Sequence, residues 1–458
     1  MMASDRKAVW GEEPKPLMPY SPAIKAGGWV FVAGQLASDF KTGLAPEAGG
    51  DGRNRFVDNQ LEIQSRFVME NLKRTVEAAG LDIGSDIMRI YQWFTSPYPT
   101  MDEFGEGNTW PRISITPYLN TRNEFIFDPR PASTGMGIRE TGLLVKDTIL
   151  EVDMIGFDPA VIPGPSTGTA VPDGTPSPLA GYSPAISRGD WVFLAGEIPV
   201  DWTGDWGRSE YYGTPSGVSV EARTNPNFWY DSDIERQTDY VLQKQAAIAQ
   251  AAGTSLDRAV KATVYIGHPS DFEGMDKVWK RWFPENPPAR VVIPYMGLGG
   301  RGSRIEIAFK LLAGDSNLEI ETIEAPGAPP GLGHEPQAVK AGKFLFFSTV
   351  TPANHKGSLE ESTMRHPSFP WYGQPPKLQM RHMLDNVSKI CEAAGTSLDQ
   401  ICRRQAFHDD FTWFAQTIEE WADHFDGDKP ASTTLEIGGP LVVPGAHVQL
   451  DLIGYCPD

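Results

Sequence analysis

Two patterns of apolar positions recur along this chain. Short runs of β-branched and aromatic residues between glycines, such as WVFVAG at 29–34, predict buried strands. Longer stretches with apolar residues three or four positions apart predict amphipathic helices. The first of these ends at Gly80, where a glycine commonly terminates a helix. The spacing predicts helices over 57–79, 233–252, 271–283, 377–394 and 412–425.

The order of the predicted elements defines the fold class. Each third of the chain begins with strands, continues with a helix and another strand, and ends with a closing strand. In the second and third parts, a second helix precedes the closing strand. This order predicts α+β domains. A sheet with helices on one face leaves its other face apolar, and that face needs a partner. We therefore expect three domains around a pseudo-threefold axis, with the sheets packed inward and the helices outside.

Three sequence markers recur in the same order. The segment SPAIKAGGWVFVAG at 21–34 returns nearly unchanged as SPAISRGDWVFLAG at 183–196, and a worn copy, PQAVKAGKFLFFS, occupies 336–348. An Ala-Ala-Gly segment after the first helix and a Pro-Ala pair before a late strand also occur three times. The chain is therefore predicted to be a tandem of three homologous domains.

The spacing of the markers fixes the size of the repeat. Units of about 150 residues are too long for a solenoid and suit complete domains with their own cores. A proline-rich stretch, VIPGPSTGTAVPDGTPSPLAG, reads as an exposed linker. We predict a first domain over 14–158, a linker over 159–178, a second domain over 179–314 and a third over 315–458.

Composition limits the classes of function. The 458 residues are 40% hydrophobic and carry a net charge of −19, so the chain can fill several cores, and its acidic surface argues against nucleic-acid binding. Neither a signal peptide nor an apolar stretch of about 18 residues is visible, which predicts a soluble cytoplasmic protein without a membrane partner. The cysteines, Cys391, Cys402 and Cys456, lack metal spacing and are predicted to be buried free thiols.

Motifs for metals, nucleotides and serine nucleophiles are missing from the sequence. The eight histidines show no HxxxH or HxH spacing, so no metal site is expected. The glycines of MGLGGRGSR at 296–304 follow the wrong kind of element for a dinucleotide loop, and no GxSxG elbow occurs. The prediction is that the protein uses no metal and no cofactor.

The markers resemble those of the RidA family, also called YjgF/YER057c/UK114. The similarity lies in Tyr20 before SPAIKAGGWVFVAGQ, Tyr182 before SPAISRGDWVFLAGEIP, the AAG(T)SLD helix ends and the PA(R/S) motif. Members of that family are usually homotrimers of one domain, with active clefts between neighbouring subunits. The resemblance implies a chorismate-mutase-like α+β domain in each unit. It also implies that the trimer is fused here into a monomeric pseudo-trimer, and further self-association stays open.

The family hallmark is an arginine after Pro-Ala that binds the substrate carboxylate. Only the second unit keeps it, as Arg290, while Ser133 and Ser432 take its place in the other units as candidate substrate-binding residues. A guanidinium grips a carboxylate with two parallel hydrogen bonds, which a hydroxyl cannot do. The alternative for Arg290 is a structural salt bridge between units.

The resemblance also assigns other cleft residues. The family tyrosine matches Tyr20 and Tyr182 as candidate catalytic residues and His334 in the third unit as a candidate substrate-binding residue. Glu197, directly after the second copy of the repeated strand, is a further candidate for substrate binding. Packing between units is the alternative for the tyrosines.

The family carboxylate on the closing strand, which orients water, is matched to Asp153 and Asp451 as candidate catalytic residues. The second unit has Ala308 at that position, so Arg290 and this carboxylate never occur in the same unit. A working site would then join residues from neighbouring units. Hydrogen-bonded structural carboxylates are the alternative.

Two inserts are rich in tryptophan, tyrosine and arginine, at 201–231 and 365–377. Such residues suit a lid over a cleft, and flat side chains favour a cyclic or aromatic-derived substrate. Packing between the fused units explains the composition equally well.

The resemblance implies an enzyme that hydrolyses a C=N or C–N bond, an imine/enamine deaminase acting on a small carboxylate in a catabolic pathway. Two alternatives stay open. Loss of the arginine from two units is also what a non-catalytic metabolite-binding or regulatory protein would show. Three related domains in one chain also resemble cyclic-amide hydrolases of the cyanuric acid type.

Overall fold

The first third of the chain forms a six-stranded sheet with two helices. The computed structural model describes residues 5–11, 16, 18–49, 59–95, 115–139, 141–176, 180–200, 218–224, 227, 232–295, 302–365, 368 and 373–457. The elements of the first unit are β1 (Lys7–Val9), β2 (Ala23–Ala26), β3 (Trp29–Leu36), α1 (Gln60–Ala78), β4 (Ile87–Thr95), α2 (Thr116–Phe125), β5 (Ala132–Ile138) and β6 (Leu150–Phe157). The strand order is β1-β2-β3-β6-β4-β5, and only β4 and β5 run parallel.

The second unit repeats this arrangement. Its elements are β7 (Thr167–Gly168), β8 (Ala185–Arg188), β9 (Trp191–Leu194), α3 (Asp233–Ala251), β10 (Ala259–Ile266), α4 (Phe272–Trp282), β11 (Ala289–Pro294) and β12 (Ile305–Leu312). The strand order is β11-β10-β12-β9-β8-β7. Helix α3 begins with a capping box between Ser232 and Glu235, which satisfies backbone N–H groups that lack a partner in the helix.

The third unit has the same topology. Its elements are β13 (Ile320–Ile323), β14 (Ala338–Ala341), β15 (Phe344–Phe347), α5 (Pro375–Ala393), β16 (Ile401–His408), α6 (Phe414–Asp423), β17 (Ala431–Glu436) and β18 (Val448–Tyr455). The strand order is β13-β14-β15-β18-β16-β17. The five predicted helices are confirmed within a few residues, and α2, whose sequence TPYLNTRNEF has a weak apolar pattern, was not predicted.

Two edge strands lie outside the predicted domain limits. Strand β1 precedes residue 14, and β7 falls within the predicted linker. Both add an antiparallel partner to the first hairpin of their sheet. Each therefore covers a sheet edge that would otherwise leave backbone groups unpaired.

Each sheet packs its own helices against one face and shares its other face with the other two units. Three apolar clusters lie between helices and sheet, and a fourth takes residues from all three sheets. Trp29, Trp191 and Phe344, the first residues of β3, β9 and β15, meet in the shared cluster. Their ring centroids lie 4.8 Å, 4.5 Å and 6.0 Å apart. The α+β fold with three repeated domains is confirmed, and the threefold rotation stays a prediction.

The three cysteines are buried and free, as predicted. Within the described ranges, no helix is long and apolar enough to cross a membrane.

Candidate functional site

Edge strands β5, β11 and β17 each meet the following unit, the third unit being followed by the first. We call these contacts seam 1–2, seam 2–3 and seam 3–1. One backbone hydrogen bond marks each of them: Gly196 N–H to the Ser133 carbonyl (3.0 Å), Thr349 N–H to the Arg290 carbonyl (3.0 Å) and Ser21 N–H to the Pro430 carbonyl (3.2 Å). The seams bring together residues that are distant in sequence, including most of the predicted site residues.

The register of the first hairpin corrects one sequence match. Strands β2, β8 and β14 occupy equivalent positions, and the residues three places before them are Tyr20, Tyr182 and Glu335. Glu335, not His334, therefore takes the place of the tyrosine in the third unit. The ring of His334 lies 2.6 Å from the Phe283 carbonyl oxygen through Nε2.

Arg290 is fully buried at seam 2–3 and already holds two carboxylates. Its Nε lies 2.8 Å from Oε2 of Glu335, and its Nη2 lies 2.6 Å from Oδ1 of Asp276. The guanidinium also lies 5.0 Å from the ring centroid of Trp279. Burial raises the pKa of Glu335 to about 7, although Arg290 opposes this. Arg290 thus has the geometry of the structural salt bridge between units that was the alternative to substrate binding. A substrate carboxylate would have to displace Glu335 in order to bind the guanidinium.

Asp153 and Asp451 are buried in the shared core, and cations pair with both of them. Arg403 bridges them at 2.8 Å and 3.4 Å, and Lys261 lies 2.8 Å from Asp451. Burial acts to raise the pKa of Asp451, but the charges of Lys261 and Arg403 hold it below its ordinary value. Both aspartates therefore have the arrangement expected of structural carboxylates, which was the alternative to a catalytic role. Their ion pairs form a network that joins all three units.

Tyr91 completes this core network. Its hydroxyl oxygen lies 3.0 Å from Nζ of Lys310, and the guanidinium carbons of Arg89 and Arg403 each lie 4.6 Å from its ring centroid. Burial acts to raise the pKa of Tyr91, but the three cations lower it to about 8. Sequence analysis missed this cluster because its members come from different units.

Two further acidic side chains, Glu151 at seam 3–1 and Glu306 at seam 1–2, are each the second residue of the closing strand of their unit. Both are buried, and each lies against a glycine of the repeated first strand, Gly34 and Gly196. A Cβ atom on either glycine would overlap Oε1 of the glutamate. Glycine is therefore required where the closing strand carries glutamate.

The third unit lacks this pair. Gln449 stands at the second position of β18, and Thr349 replaces the glycine. The amide of Gln449 donates to the Val292 carbonyl oxygen at 2.8 Å. Seam 2–3 therefore has no titratable group at the position that Glu151 and Glu306 occupy in the other seams.

Both seam glutamates hold their protons unusually tightly. Burial raises the pKa of Glu306 to about 8, against the opposing charge of Arg89 and a hydrogen bond with Thr134. Burial, together with the charge of Asp153, raises the pKa of Glu151 well above its ordinary value. A carboxyl group that stays protonated near neutral pH can donate a proton to a bound molecule.

Seam 1–2 gathers three of the predicted residues around Glu306. The Tyr182 hydroxyl donates to Glu197 Oε1 at 3.4 Å, and Lys244 lies 2.8 Å from Glu197 Oε2. Burial, followed by the charge of Glu197, raises the pKa of Tyr182 well above its ordinary value. Ser133 accepts a hydrogen bond from Gln92 on the neighbouring strand.

Seam 3–1 contains Tyr20, Ser432 and an arginine that sequence analysis did not select. Arg404 donates through Nη1 to Ser432 Oγ at 2.8 Å and to Thr434 Oγ1 at 3.2 Å. Burial lowers the pKa of Arg404 to about 9, so the side chain is still charged at neutral pH. Burial and the charge of Glu151 raise the pKa of Tyr20.

The aromatic inserts at 201–231 and 365–377 lie largely outside the described residues, so the lid stays a prediction. In the part of the chain that the structure describes, no group of three or more His, Cys, Asp or Glu side chains is arranged to hold a metal ion.

The three tandem α+β domains agree with the comparisons with known proteins. The family model described as Endoribonuclease L-PSP matches residues 10–102, 173–312 and 328–456. The chain belongs to this family, to which the RidA resemblance also points, and contains its domain three times.

Relatives cover one domain of the chain each. A RutC family protein of Pyrococcus horikoshii is 35% identical over 121 residues, which are 26% of this chain and 79% of the relative. The 3-aminoacrylate deaminase RutC of Acinetobacter baylyi is 28% identical over 138 residues, 30% of this chain and 91% of the relative. A crystal structure of a conserved Rid-family protein of unknown function from Yersinia pestis is 27% identical, covers 30% of this chain and 99% of its own, and has a TM-score of 0.26.

Replacing Gly196 by alanine should disturb the seam 1–2 carboxyl group. The new Cβ would overlap Glu306 Oε1 and lie 2.7 Å from Thr134 Oγ1, so we expect a loss of about 1–3 kcal/mol in the free energy of unfolding. Urea unfolding measures it. Gly427→Ala is the control, because no heavy atom lies within 4 Å of its Cβ position. Equal stability of the two variants would contradict the close packing of Glu306 on Gly196.

Arg290→Met should destabilise the protein by about 3–5 kcal/mol, because it leaves Glu335 buried without its cation. Adding Glu335→Leu to Arg290→Met should recover most of this loss, since the buried charge is then removed as well. Urea unfolding of the two variants tests the pair. A double variant no more stable than the single one would show that Arg290 does not serve chiefly to neutralise Glu335.

Proposed function

We propose that the protein hydrolyses the C=N bond of a small imine, formed directly or from its enamine, and releases ammonia at seam 1–2. Glu306 carries the proposal, because it is a buried carboxyl group at a seam with a pKa of about 8. Imine hydrolysis needs a proton on nitrogen before water attacks carbon. A glutamic acid that is protonated at neutral pH supplies that proton.

The steps need only the side chains at the seam. Glu306 protonates the imine nitrogen, water adds to the carbon, and the Glu306 carboxylate takes back a proton from the added water. Glu306 then gives this proton to the nitrogen of the carbinolamine, ammonia leaves, and the Glu306 carboxylate takes the hydroxyl proton, which leaves a carbonyl product and restores the acid. The sum is imine plus water to carbonyl compound plus ammonia. Tyr182, held by Glu197, and the Thr134 hydroxyl are the groups proposed to orient substrate and water.

Family membership supports this chemistry, since one relative is named a 3-aminoacrylate deaminase. Seam 3–1 is proposed as a second site, because Glu151 repeats the position and the raised pKa of Glu306. A cyclic or aromatic-derived carboxylate from a catabolic route remains the proposed substrate, on the composition of the two inserts. The net charge of −19 disfavours RNA as a substrate.

One observation favours a non-catalytic role for seam 2–3. Gln449 cannot donate a proton as an acid, and Arg290 is neutralised by Glu335 and Asp276. We propose that this seam holds the units together and that turnover occurs at the other two.

Replacing both seam glutamates by glutamine should abolish turnover. We expect ammonia release from imine and enamine carboxylates generated in situ to fall about 100-fold or more in Glu306→Gln/Glu151→Gln, because glutamine cannot supply the proton. The ammonia release that each single variant retains measures how much turnover occurs at the other seam. Exposed Glu392→Gln is the control. Full activity in the double variant would refute the proposed acid, and no ammonia from the wild type would refute the deaminase.

The raised pKa of Glu306 also predicts how stability depends on pH. The folded protein holds this proton more tightly than the unfolded chain, so its contribution to stability is complete below the ordinary pKa of 4.5 and is lost as the pH rises through about 8. Glu306→Gln removes that loss. Urea unfolding between about pH 5 and about pH 9 should therefore show the variant gaining stability relative to the wild type as the pH rises. Parallel curves would show that Glu306 titrates normally.

A further inference from the structure

Arg404 is a buried cation that pairs with no carboxylate among the residues that the structure describes. Its side chain is fully buried, and Ser432 and Thr434 accept hydrogen bonds from Nη1 only. Its Nε and Nη2 have no hydrogen-bond partner in the described part of the protein, and no ion pair reaches it there. Burying a charge without a counter-charge costs several kcal/mol, so proteins rarely keep one without a use.

The second unit shows what such an arginine binds. The guanidinium of Arg290 lies 5.0 Å from the ring centroid of Trp279, and that of Arg404 lies 4.7 Å from Trp421. Each tryptophan is the eighth residue of its helix, α4 or α6. Arg290 stands on the edge strand, whereas in the third unit Ser432 takes that position and Arg404, its register partner on β16, supplies the guanidinium.

The two acids that neutralise Arg290 have no counterparts around Arg404. Glu335 precedes the first hairpin of the third unit, and Tyr20 holds that position in the first unit. Asp276 lies three residues before the tryptophan of α4, and Ile418 holds that position in α6. Among the described residues, the same arrangement of guanidinium and tryptophan is therefore neutralised at seam 2–3 and not at seam 3–1.

We propose that Arg404, Ser432 and Thr434 form a binding site at seam 3–1 for the carboxylate of a small ligand. The N–H groups on Nε and Nη2 point in the same direction and form the fork that matches the two oxygens of a carboxylate. At seam 2–3 the Nε of Arg290 donates to Glu335, and its Nη2 donates to Asp276 and to the Leu332 carbonyl oxygen, so carboxylates are the main partners of these two nitrogens there. Ser432 and Thr434 are buried but each keeps 7% of its surface accessible.

The proposal concerns binding alone and is independent of proton transfer by Glu306 or Glu151. The proposal also predicts how replacing the arginine changes the stability of the ligand-free protein. Removing a buried cation that has no protein counter-charge relieves a cost, whereas removing a paired one creates a cost. Arg404→Met should therefore unfold at the same or a higher temperature than the wild type without ligand, and Arg290→Met at a lower one.

The test is thermal unfolding and calorimetric titration with acetate, pyruvate and benzoate as probes. We expect at least one of them to raise the unfolding temperature of the wild type and of Glu306→Gln/Glu151→Gln. Arg404→Met should bind that probe at least about tenfold more weakly, which is about 1.4 kcal/mol. Ser432→Ala should weaken it less. Arg139→Met, which removes a half-exposed arginine near this seam, is the control and should keep the shift.

Four results would overturn the proposal. They are no shift with any carboxylate in the wild type, an equal shift in Arg404→Met, a larger shift with inorganic phosphate than with every carboxylate, or a loss of stability in ligand-free Arg404→Met as large as that in Arg290→Met. Carboxylate binding that depends on Arg404, in a protein that releases no ammonia, would support this site while refuting the deaminase.

Discussion

The bare face of each sheet is the constraint on which the rest of the structure depends. Helices cover one side of every sheet, so aromatic residues on the other side are buried only when all three units meet, as Trp29, Trp191 and Phe344 do. The same shared core contains the ion pairs of Arg403 with Asp153 and Asp451. These charges require close partners because water cannot reach them. Packing the sheets together also brings each edge strand against the next unit, which creates the seams.

Fusion into one chain allows the seams to differ, which identical subunits related by symmetry cannot do. Seam 1–2 combines a glycine with a buried glutamic acid. Seam 2–3 has lost both and neutralises its arginine internally. Seam 3–1 keeps the glycine and the glutamic acid and takes its arginine from the adjacent strand. The differences are coupled: Gly34 and Gly196 occur with Glu151 and Glu306, whereas Thr349 occurs with Gln449, because a Cβ and the glutamate cannot share that space.

The sequence predicted the repeats, the helices and the α+β class, because these depend on local periodicity. It selected Asp153 on the closing strand of the first unit, whereas the carboxyl group that lies against the seam glycine is that of Glu151. Residues 151 and 153 are two apart, so they point to the same face of the sheet, and alternation cannot tell which one meets the seam. The pairing of Gly196 with Glu306 was a signal that could have decided it. Arg404 and the core network could not be predicted, since their environments are formed by other strands and other units.

The two buried arginines show how one arrangement can be used for stability in one place and for binding in another. Units 2 and 3 both place a guanidinium over a tryptophan ring. They differ in which molecule supplies the negative charge that pairs with the guanidinium. At seam 2–3 the protein supplies it from Glu335, so the charge is satisfied on folding and strengthens the contact between units. At seam 3–1 the neighbouring unit presents a tyrosine, and the Nε and Nη2 groups of Arg404 are left for another molecule. Tyr20 in place of Glu335 and Ile418 in place of Asp276 together account for the difference between the paired Arg290 and the Arg404 for which we propose a ligand.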